Sequence, residues 1–195
     1  MQKIILATTS PHRIKAFKML DLDFKAVASK IDENFSGRPD KPRELVAELA
    51  RRKAKAVVEK YKEEIVIGFD SIGWFENKIL EKPKNRKEAY ERLAMISGRE
   101  FQFFTGICII NGSSGKKHEG VVITEALMRD IKTQEINNYL DKDTKFQTYA
   151  LGFDPLLHSS SSFIKKIDGS YNNILRGIPL ETIVEMLNDI IADSK

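Results

Sequence analysis

The sequence predicts an α/β fold with a mixed central sheet flanked by helices, and three observations support that class. Over the first third of the chain, apolar strands alternate with helices at the spacing of parallel βαβ units. The middle contains a tight hairpin and two long strands joined by a glycine- and serine-rich turn, which adds antiparallel pairs. No segment has the composition of a linker, so residues 1–195 are expected to form one domain with two lobes.

The first third predicts three strands and two helices in alternation. Ser10 is a good helix N-cap and Pro11 suits the first helical position, so a helix is expected to begin there. A longer helix begins at Pro42 and carries apolar residues such as Leu49 and Val57 at helical spacing. These five elements are predicted at residues 3–7, 10–20, 24–28, 42–61 and 64–69.

The remainder predicts paired strands with three further helices. Glu76 and Asn77 lie in a predicted hairpin turn, Gly98 ends a helix, and Thr133 caps a short one. The serine run 159–162 is expected to be a mobile loop. Strands are predicted at 71–74, 78–80, 101–110, 120–130 and 163–167, and helices at 86–96, 133–140 and 179–191.

Composition excludes several classes of protein. The net charge is only +4 and the basic residues are interleaved with acids, which argues against a general nucleic-acid-binding role. The single cysteine, Cys108, lies in an apolar run, so it is expected to be a core residue with no disulfide inside the chain. No stretch has membrane-spanning length and no secretory signal is visible, so a cytoplasmic protein without a membrane partner is expected.

The first strand leads directly into a candidate anion site. Arg13 falls in the first turn of the predicted helix, where the helix dipole disfavours a cation. Free N–H groups at that helix start, with the hydroxyls of Thr8 and Ser10, suit a phosphate. The alternative is a surface arginine exposed to water.

Two further residues indicate chemistry through their positions. Lys53 lies inside the apolar stripe of the long helix, so its ammonium must either reach an edge or meet a buried anion. Asp70 ends an apolar strand, at the edge where α/β sheets place their ligands, so it is a candidate metal ligand or general base. The alternative for Asp70 is an aspartate that stabilises a turn.

Two polar loops complete the constellation. Glu33 follows the second strand, and Lys82 is held beside Pro83 after the hairpin, although either is also typical of a solvated loop. Together these residues supply acids for a divalent cation and cations for a polyphosphate, which is how many nucleotide enzymes hold magnesium. Neither a Walker A loop nor Gly-x-Gly-x-x-Gly occurs, which argues against P-loop and Rossmann chemistry.

The residues resemble the Maf-like nucleoside triphosphate pyrophosphatases, within the inosine triphosphate pyrophosphatase-like superfamily. The resemblance runs nearly end to end and consists of short motifs in one order. They are Leu6-Ala7-Thr8-Thr9-Ser10-Pro11-His12-Arg13, Ile31-Asp32-Glu33, Leu49-Ala50-Arg51-Arg52-Lys53-Ala54, Gly68-Phe69-Asp70-Ser71, Glu81-Lys82-Pro83, Ser97-Gly98-Arg99, Thr105-Gly106, Ile167-Asp168-Gly169-Ser170-Tyr171 and Gly177-Ile178-Pro179-Leu180.

The resemblance implies an elongated fold with a cleft between two lobes, and metal-dependent hydrolysis of a nucleoside triphosphate to a monophosphate and pyrophosphate. The substrate is expected to be a non-standard or pyrimidine nucleotide, the metal Mg²⁺ or Mn²⁺, and a homodimer is possible. The expected catalytic residues are Asp70, Glu33, Lys53 and Lys82, with Glu33 and Asp70 also holding the metal. The expected substrate-binding residues are Thr8, Ser10, His12, Arg13 and Ser71.

The sequence departs from the family where the base is chosen. His12 replaces the first of two arginines, and Phe69 and Ser71 flank Asp70 in an unusual combination. The segment 152–155, Gly-Phe-Asp-Pro, is similar to the inosine triphosphate pyrophosphatases, in which the matching aspartate lies near the base. The preferred base therefore stays open at this point. So does the main alternative, a nucleotide-binding regulator linked to cell division with little or no catalysis.

Overall fold

The structure is a computed structural model that describes residues 2–192. Its strands are β1 (Ile4–Ala7), β2 (Phe24–Ala26), β3 (Ile65–Phe75), β4 (Lys78–Leu80), β5 (Glu100–Asn111), β6 (Lys117–Met128) and β7 (Ile164–Asp168). Its α-helices are α1 (Pro11–Phe17), α2 (Pro42–Val58), α3 (Arg86–Ile96), α4 (Thr133–Lys142), α5 (Tyr171–Arg176) and α6 (Leu180–Ala192).

The strands form one mixed seven-stranded sheet, which confirms the predicted fold class. Their order is β2-β1-β3-β5-β6-β7, with β4 paired to β3 outside this path. β1 pairs in parallel with both β2 and β3, as βαβ connections require. β3 pairs with β4 and β6 with β7 in antiparallel fashion.

The described chain divides into two compact units. The first comprises residues 2–71, 105–122 and 172–192, and the second comprises 72–104 and 123–171. In the first unit, the sheet carries an apolar cluster on each face, because successive strand residues point to opposite sides. Ile4, Leu6 and Phe69 pack with α1 and α6 on one face. Ile5 and Val66 pack with α2 on the other.

Two predicted boundaries are wrong for identifiable reasons. The expected break before the hairpin is absent, because β3 continues to Phe75 and pairs first with β1 and then with β4. Thr133 is the first residue of α4 rather than its cap, since Lys132 occupies the N-cap position and its N–H donates to the Glu135 carboxylate at 3.0 Å. The hairpin turn itself is confirmed, with positive φ at Glu76 and Asn77.

Two segments are more regular than the sequence indicates. The serine run belongs to a 3-10 turn, His158–Ser162, in which the Ser160 hydroxyl donates to the Asp154 carbonyl at 2.6 Å. The short helix α5 was not predicted, because its asparagines are weak helix formers. Tertiary contacts stabilise it, among them a 3.0 Å bond from Asn172 Nδ2 to Glu181 Oε2. Within residues 2–192, no helix is long and apolar enough to cross a membrane.

Candidate active site

A glycine brings helix α2 into direct contact with strand β3. A Cβ on Gly68 would lie 2.3 Å from the Ala50 carbonyl oxygen and 2.7 Å from the Ala54 nitrogen. Only a residue without a side chain permits this approach. Because Lys53 lies on the same turn of α2 and Asp70 two residues after Gly68, the contact places the lysine over the middle of the strand, at Asp70.

The alternation of β3 separates its polar residues between two faces. Asp70 shares the face of Val66 and Gly68, on which α2 packs. Ser71 shares the face of Ile67 and Phe69, on which α1 and α6 pack. The Asp70 carboxylate therefore lies between β3 and α2, and the Ser71 hydroxyl lies on the side of β3 where α1 and α6 pack.

Lys53 joins two carboxylates on the α2 face. Its ammonium donates to Asp70 Oδ1 at 2.6 Å and lies 2.7 Å from Glu33 Oε1. The lysine and aspartate side chains are only 12% and 11% exposed, whereas Glu33 is 54% exposed. Of the two possibilities for Lys53, the structure shows the second: the ammonium meets an anion.

The environment of Asp70 changes its proton affinity. Burial raises the pKa of Asp70 above its ordinary value, because a buried carboxylate loses its hydration. Lys53 and Arg13 act in the opposite direction, and the nearby charge of Glu33 adds to the increase. A carboxylate with a raised pKa is a better proton acceptor than a solvent-exposed one.

Arg13 lies on the opposite face, within a polar chain. Its Nε donates to the Gly177 carbonyl at 2.9 Å, and Nη2 donates to Ser71 Oγ at 2.6 Å. Ser71 Oγ is in turn 2.7 Å from Thr105 Oγ1, and Thr105 is fully buried. Burial lowers the pKa of Arg13, while Asp70 and Glu33 oppose that change. The guanidinium is thus oriented by two segments of the chain, Gly177 and Ser71, and Thr105 anchors the second of them.

The hydroxyls before α1 stabilise the turn that carries Arg13. Thr8 Oγ1 accepts from the Ser10 N–H at 3.1 Å, and Ser10 caps the helix by accepting from the Arg13 N–H. The predicted N-cap is therefore confirmed. His12 is partly buried within the first turn. The binding roles expected for these residues stay predictions.

The second unit contains Lys82 in a loop fixed at several points. Lys82 itself is exposed, while Pro83 is buried. Arg92 donates through Nη1 to the Glu81 carbonyl and, at 3.0 Å, to the Ala150 carbonyl. Gln147 donates to the Lys84 carbonyl. The loop 81–84 and the turn 147–152 are therefore held together.

The aspartate of the Gly-Phe-Asp-Pro segment organises its own loop. Asp154 is buried, and its Oδ1 accepts from the Leu156 N–H at 2.8 Å. The Asp154 N–H donates to the Tyr139 hydroxyl at 3.2 Å, and that hydroxyl donates to Asp143 at 2.6 Å. Each of these contacts has a structural function, so the resemblance to a base-reading aspartate gains no support from them.

Comparison with known proteins identifies the family. A family model described as Maf-like protein matches residues 3–190. This chain belongs to the Maf-like protein family.

Several relatives of this Maf-like chain share one functional name. Proteins named dTTP/UTP pyrophosphatase are 34% identical in Thermoanaerobacter sp. (strain X514), over 95% of this chain and 95% of the relative, and 33% identical in Bacillus cereus (strain G9842), over 99% and 98%. The same name belongs to a Syntrophus aciditrophicus protein, 32% identical over 97% and 90%. Among solved structures, the Staphylococcus aureus Ham1 protein is 20% identical over 67% of this chain and 74% of its own, with a TM-score of 0.46.

Glu33 and Asp70 are the residues of this Maf-like site that could hold a divalent cation. Among the described residues, no group of three or more His, Cys, Asp or Glu side chains is arranged to hold a metal. Glu33 and Asp70 nevertheless approach one point, which the Lys53 ammonium marks. Mg²⁺ is commonly held by one or two carboxylates, with water and phosphate oxygens as the other ligands.

Sequence reasoning missed two contributors to the site. Thr105 appeared only within a motif of the resemblance, although it anchors Ser71. Gly68 gave a usable signal, because a glycine inside an otherwise apolar strand indicates close approach by another backbone. The structure confirms that Glu33, Lys53 and Asp70 lie together, and it assigns Lys82 to the other unit.

Proposed function

We propose that this protein is a nucleoside triphosphate pyrophosphatase that hydrolyses a pyrimidine nucleoside triphosphate between its α and β phosphates. The Glu33–Lys53–Asp70 arrangement carries this proposal, because it joins a buried carboxylate base, a second carboxylate and a cation at one point. The names of the Maf-like relatives support the reaction and favour dTTP and UTP over other nucleotides.

In this mechanism, Asp70 accepts the proton of the attacking water. Its burial raises its pKa and so strengthens it as a base. Lys53 turns from the carboxylates to the phosphate oxygens and stabilises their charge. The catalytic role expected for Lys82, in the second unit, stays a prediction. Arg13 lies on the other face of β3 but is close enough to Asp70 and Glu33 for their charges to oppose the lowering of its pKa by burial. It is assigned to nucleotide binding with the hydroxyls of Thr8 and Ser10 and the side chains of His12 and Ser71.

A divalent cation, Mg²⁺ or Mn²⁺, is part of the proposal. Glu33 and Asp70 would hold it, and its charge would offset the negative charge on the triphosphate oxygens. The reaction is then mainly one of positioning and charge neutralisation.

The decisive experiment measures pyrophosphate release from a panel of nucleoside triphosphates with Mg²⁺. We expect the highest kcat/KM with dTTP or UTP. Asp70→Asn is expected to reduce kcat by at least about 100-fold, the usual contribution of a general base, while its circular dichroism spectrum stays that of the wild type. Full turnover by folded Asp70→Asn would refute the assigned role, and nucleotide binding without turnover by the wild type would favour the regulatory alternative.

A further inference from the structure

The Lys53 ammonium occupies the point where a divalent cation would need to be. It is 2.6 Å from Asp70 Oδ1 and 2.7 Å from Glu33 Oε1, so a single positive group already bridges the two carboxylates. The lysine side chain is mostly buried and begins in the apolar stripe of α2. Moving the ammonium away from both carboxylates would leave buried charges unpaired, so it stays there unless another anion binds it.

A second cation beside the ammonium would be strongly disfavoured. A metal ion between the same two carboxylates would lie next to the Lys53 ammonium, and the two positive charges would repel each other. The low exposure of Lys53 and Asp70 reduces the screening of that repulsion by water. The described residues offer only two carboxylates here, so the protein alone provides few ligands for a metal. A triphosphate would change both conditions, because its oxygens would attract Lys53 and would also coordinate the cation.

We propose that Lys53 and the divalent cation compete for one position between Glu33 and Asp70, so that the cation enters only together with the triphosphate. This inference rests on the proposed function and concerns the order of binding at the same site. Lys53 thereby acts as an internal counter-ion that keeps the two carboxylates together until the substrate arrives. The nucleotide and the cation bind cooperatively, because the triphosphate draws Lys53 away from the carboxylates and the cation offsets the negative charge of the triphosphate.

The test measures Mn²⁺ binding to metal-free protein by electron paramagnetic resonance, without nucleotide. Lys53→Met keeps the length of the side chain and removes its charge. We expect its Kd for Mn²⁺ to be at least about tenfold lower than that of the wild type. Lys55→Met is the matched control, because Lys55 is an exposed lysine on the same helix. Its Kd should equal that of the wild type.

Two further measurements locate the effect. The double variant Glu33→Gln/Lys53→Met should lose the gain, because it lacks one of the two carboxylates. Mn²⁺ should also raise the Tm of Lys53→Met more than that of the wild type, since a ligand stabilises the folded state that binds it. With α,β-methylene-UTP present, the wild type should bind Mn²⁺ at least as tightly as Lys53→Met.

Equal Mn²⁺ affinity of wild type, Lys53→Met and Lys55→Met would overturn the competition. Tight Mn²⁺ binding by the wild type without nucleotide would also overturn it. That measurement uses the wild type alone, so it does not depend on the folding of any variant. Neither result depends on turnover. Failure of the proposed function would instead appear as absent pyrophosphate release, even where the Mn²⁺ measurements follow the expected pattern.

Discussion

At the scale of single residues, neighbours on one strand have separate tasks. Asp70 accepts a hydrogen bond from Lys53 of α2, which also pairs with Glu33, whereas Ser71 receives a hydrogen bond from Arg13 on the other face. Thr105 supports only the second of these arrangements. Substitutions on the two faces should therefore have distinguishable effects.

Thr105→Val removes the hydroxyl that anchors Ser71 and leaves a side chain of similar shape. We expect unfolding free energy to fall by about 1–2 kcal/mol in urea denaturation, because a buried hydroxyl loses its partner. We also expect kcat/KM for UTP to fall, since Ser71 and Arg13 lose their fixed orientation. Thr105→Ser keeps the hydroxyl, so its unfolding free energy and its kcat/KM for UTP should both be close to those of the wild type.

Thr124→Val provides the control for that substitution. Thr124 is equally buried, and its hydroxyl donates to the Ser170 carbonyl at 3.1 Å in the second unit. Its removal should cost comparable stability without changing kcat/KM. Equal losses of activity in the two variants would show that Thr105 acts only through general stability.

At the scale of elements, the packing of α2 on β3 depends on Gly68. Gly68→Ala should lower the unfolding free energy by about 3 kcal/mol, because its methyl group would displace the backbone of α2. In Gly120→Ala, by contrast, the nearest atom to the new methyl is Met186 Sδ at 3.7 Å, an ordinary contact. A change below about 1 kcal/mol is expected there. Similar urea denaturation curves for the two variants would contradict the close approach.

Arg92 joins two segments of the second unit. Arg92→Met should increase amide hydrogen exchange in residues 81–84 and 147–152 together, since the side chain donates to carbonyls of both. Arg86→Met is the matched control, because Arg86 lies on the same helix and instead contacts Asp141. Increased exchange in only one segment would show that the two are not coupled.

The elements that the sequence predicts best are those with a strong local signal. The apolar run before Asp70 and the N-cap at Ser10 both specify their structure without distant contacts. The 3-10 turn around Ser160 and the helix at Asn172 depend on hydrogen bonds to Asp154 and Glu181. Such contacts form only when the chain folds, so the local sequence around Ser160 and Asn172 does not predict them.

In the candidate site, too, some features have a local sequence signal and others depend on distant contacts. The position of Lys53 in an apolar stripe left two outcomes open, an ammonium that reaches an edge or one that meets a buried anion, and the structure shows an ion pair with the buried Asp70. The pairing of Glu33 with this ammonium was not predicted, because a carboxylate in a polar loop has no local signal and the family resemblance implied only a catalytic and metal-holding role for it. The anchoring of Ser71 by Thr105 joins residues 34 positions apart and was beyond sequence reasoning.

At the scale of the whole molecule, stability should depend on pH through Cys108. Burial raises the pKa of this fully buried thiol to about 12. In the unfolded chain the thiol ionises near pH 8.5, so between these values the unfolded state holds fewer protons than the folded state. Its contribution to stability is therefore complete below pH 8.5 and is lost as the pH rises.

Urea denaturation between pH 8 and pH 10 would measure this loss. The contribution of Cys108 should fall by up to about 1.4 kcal/mol per pH unit above its unfolded pKa. Cys108→Ala should show a shallower decrease over the same range. The folded wild type should also resist Ellman's reagent at pH 8 until denaturant is added. Rapid labelling without denaturant would refute the burial of the thiol.

The two-sided arrangement of β3 restricts how this protein could be lengthened or shortened in evolution or by design. Inserting one amino acid between Ile65 and Asp70 would turn the acid toward α1 and α6 and the hydroxyl toward α2, inverting both arrangements at once. Inserting two would keep each group on its side but move it by about 7 Å along the strand. Active descendants should therefore conserve the spacing of this segment more strictly than its composition, and gains or losses of residues should gather in connecting loops instead.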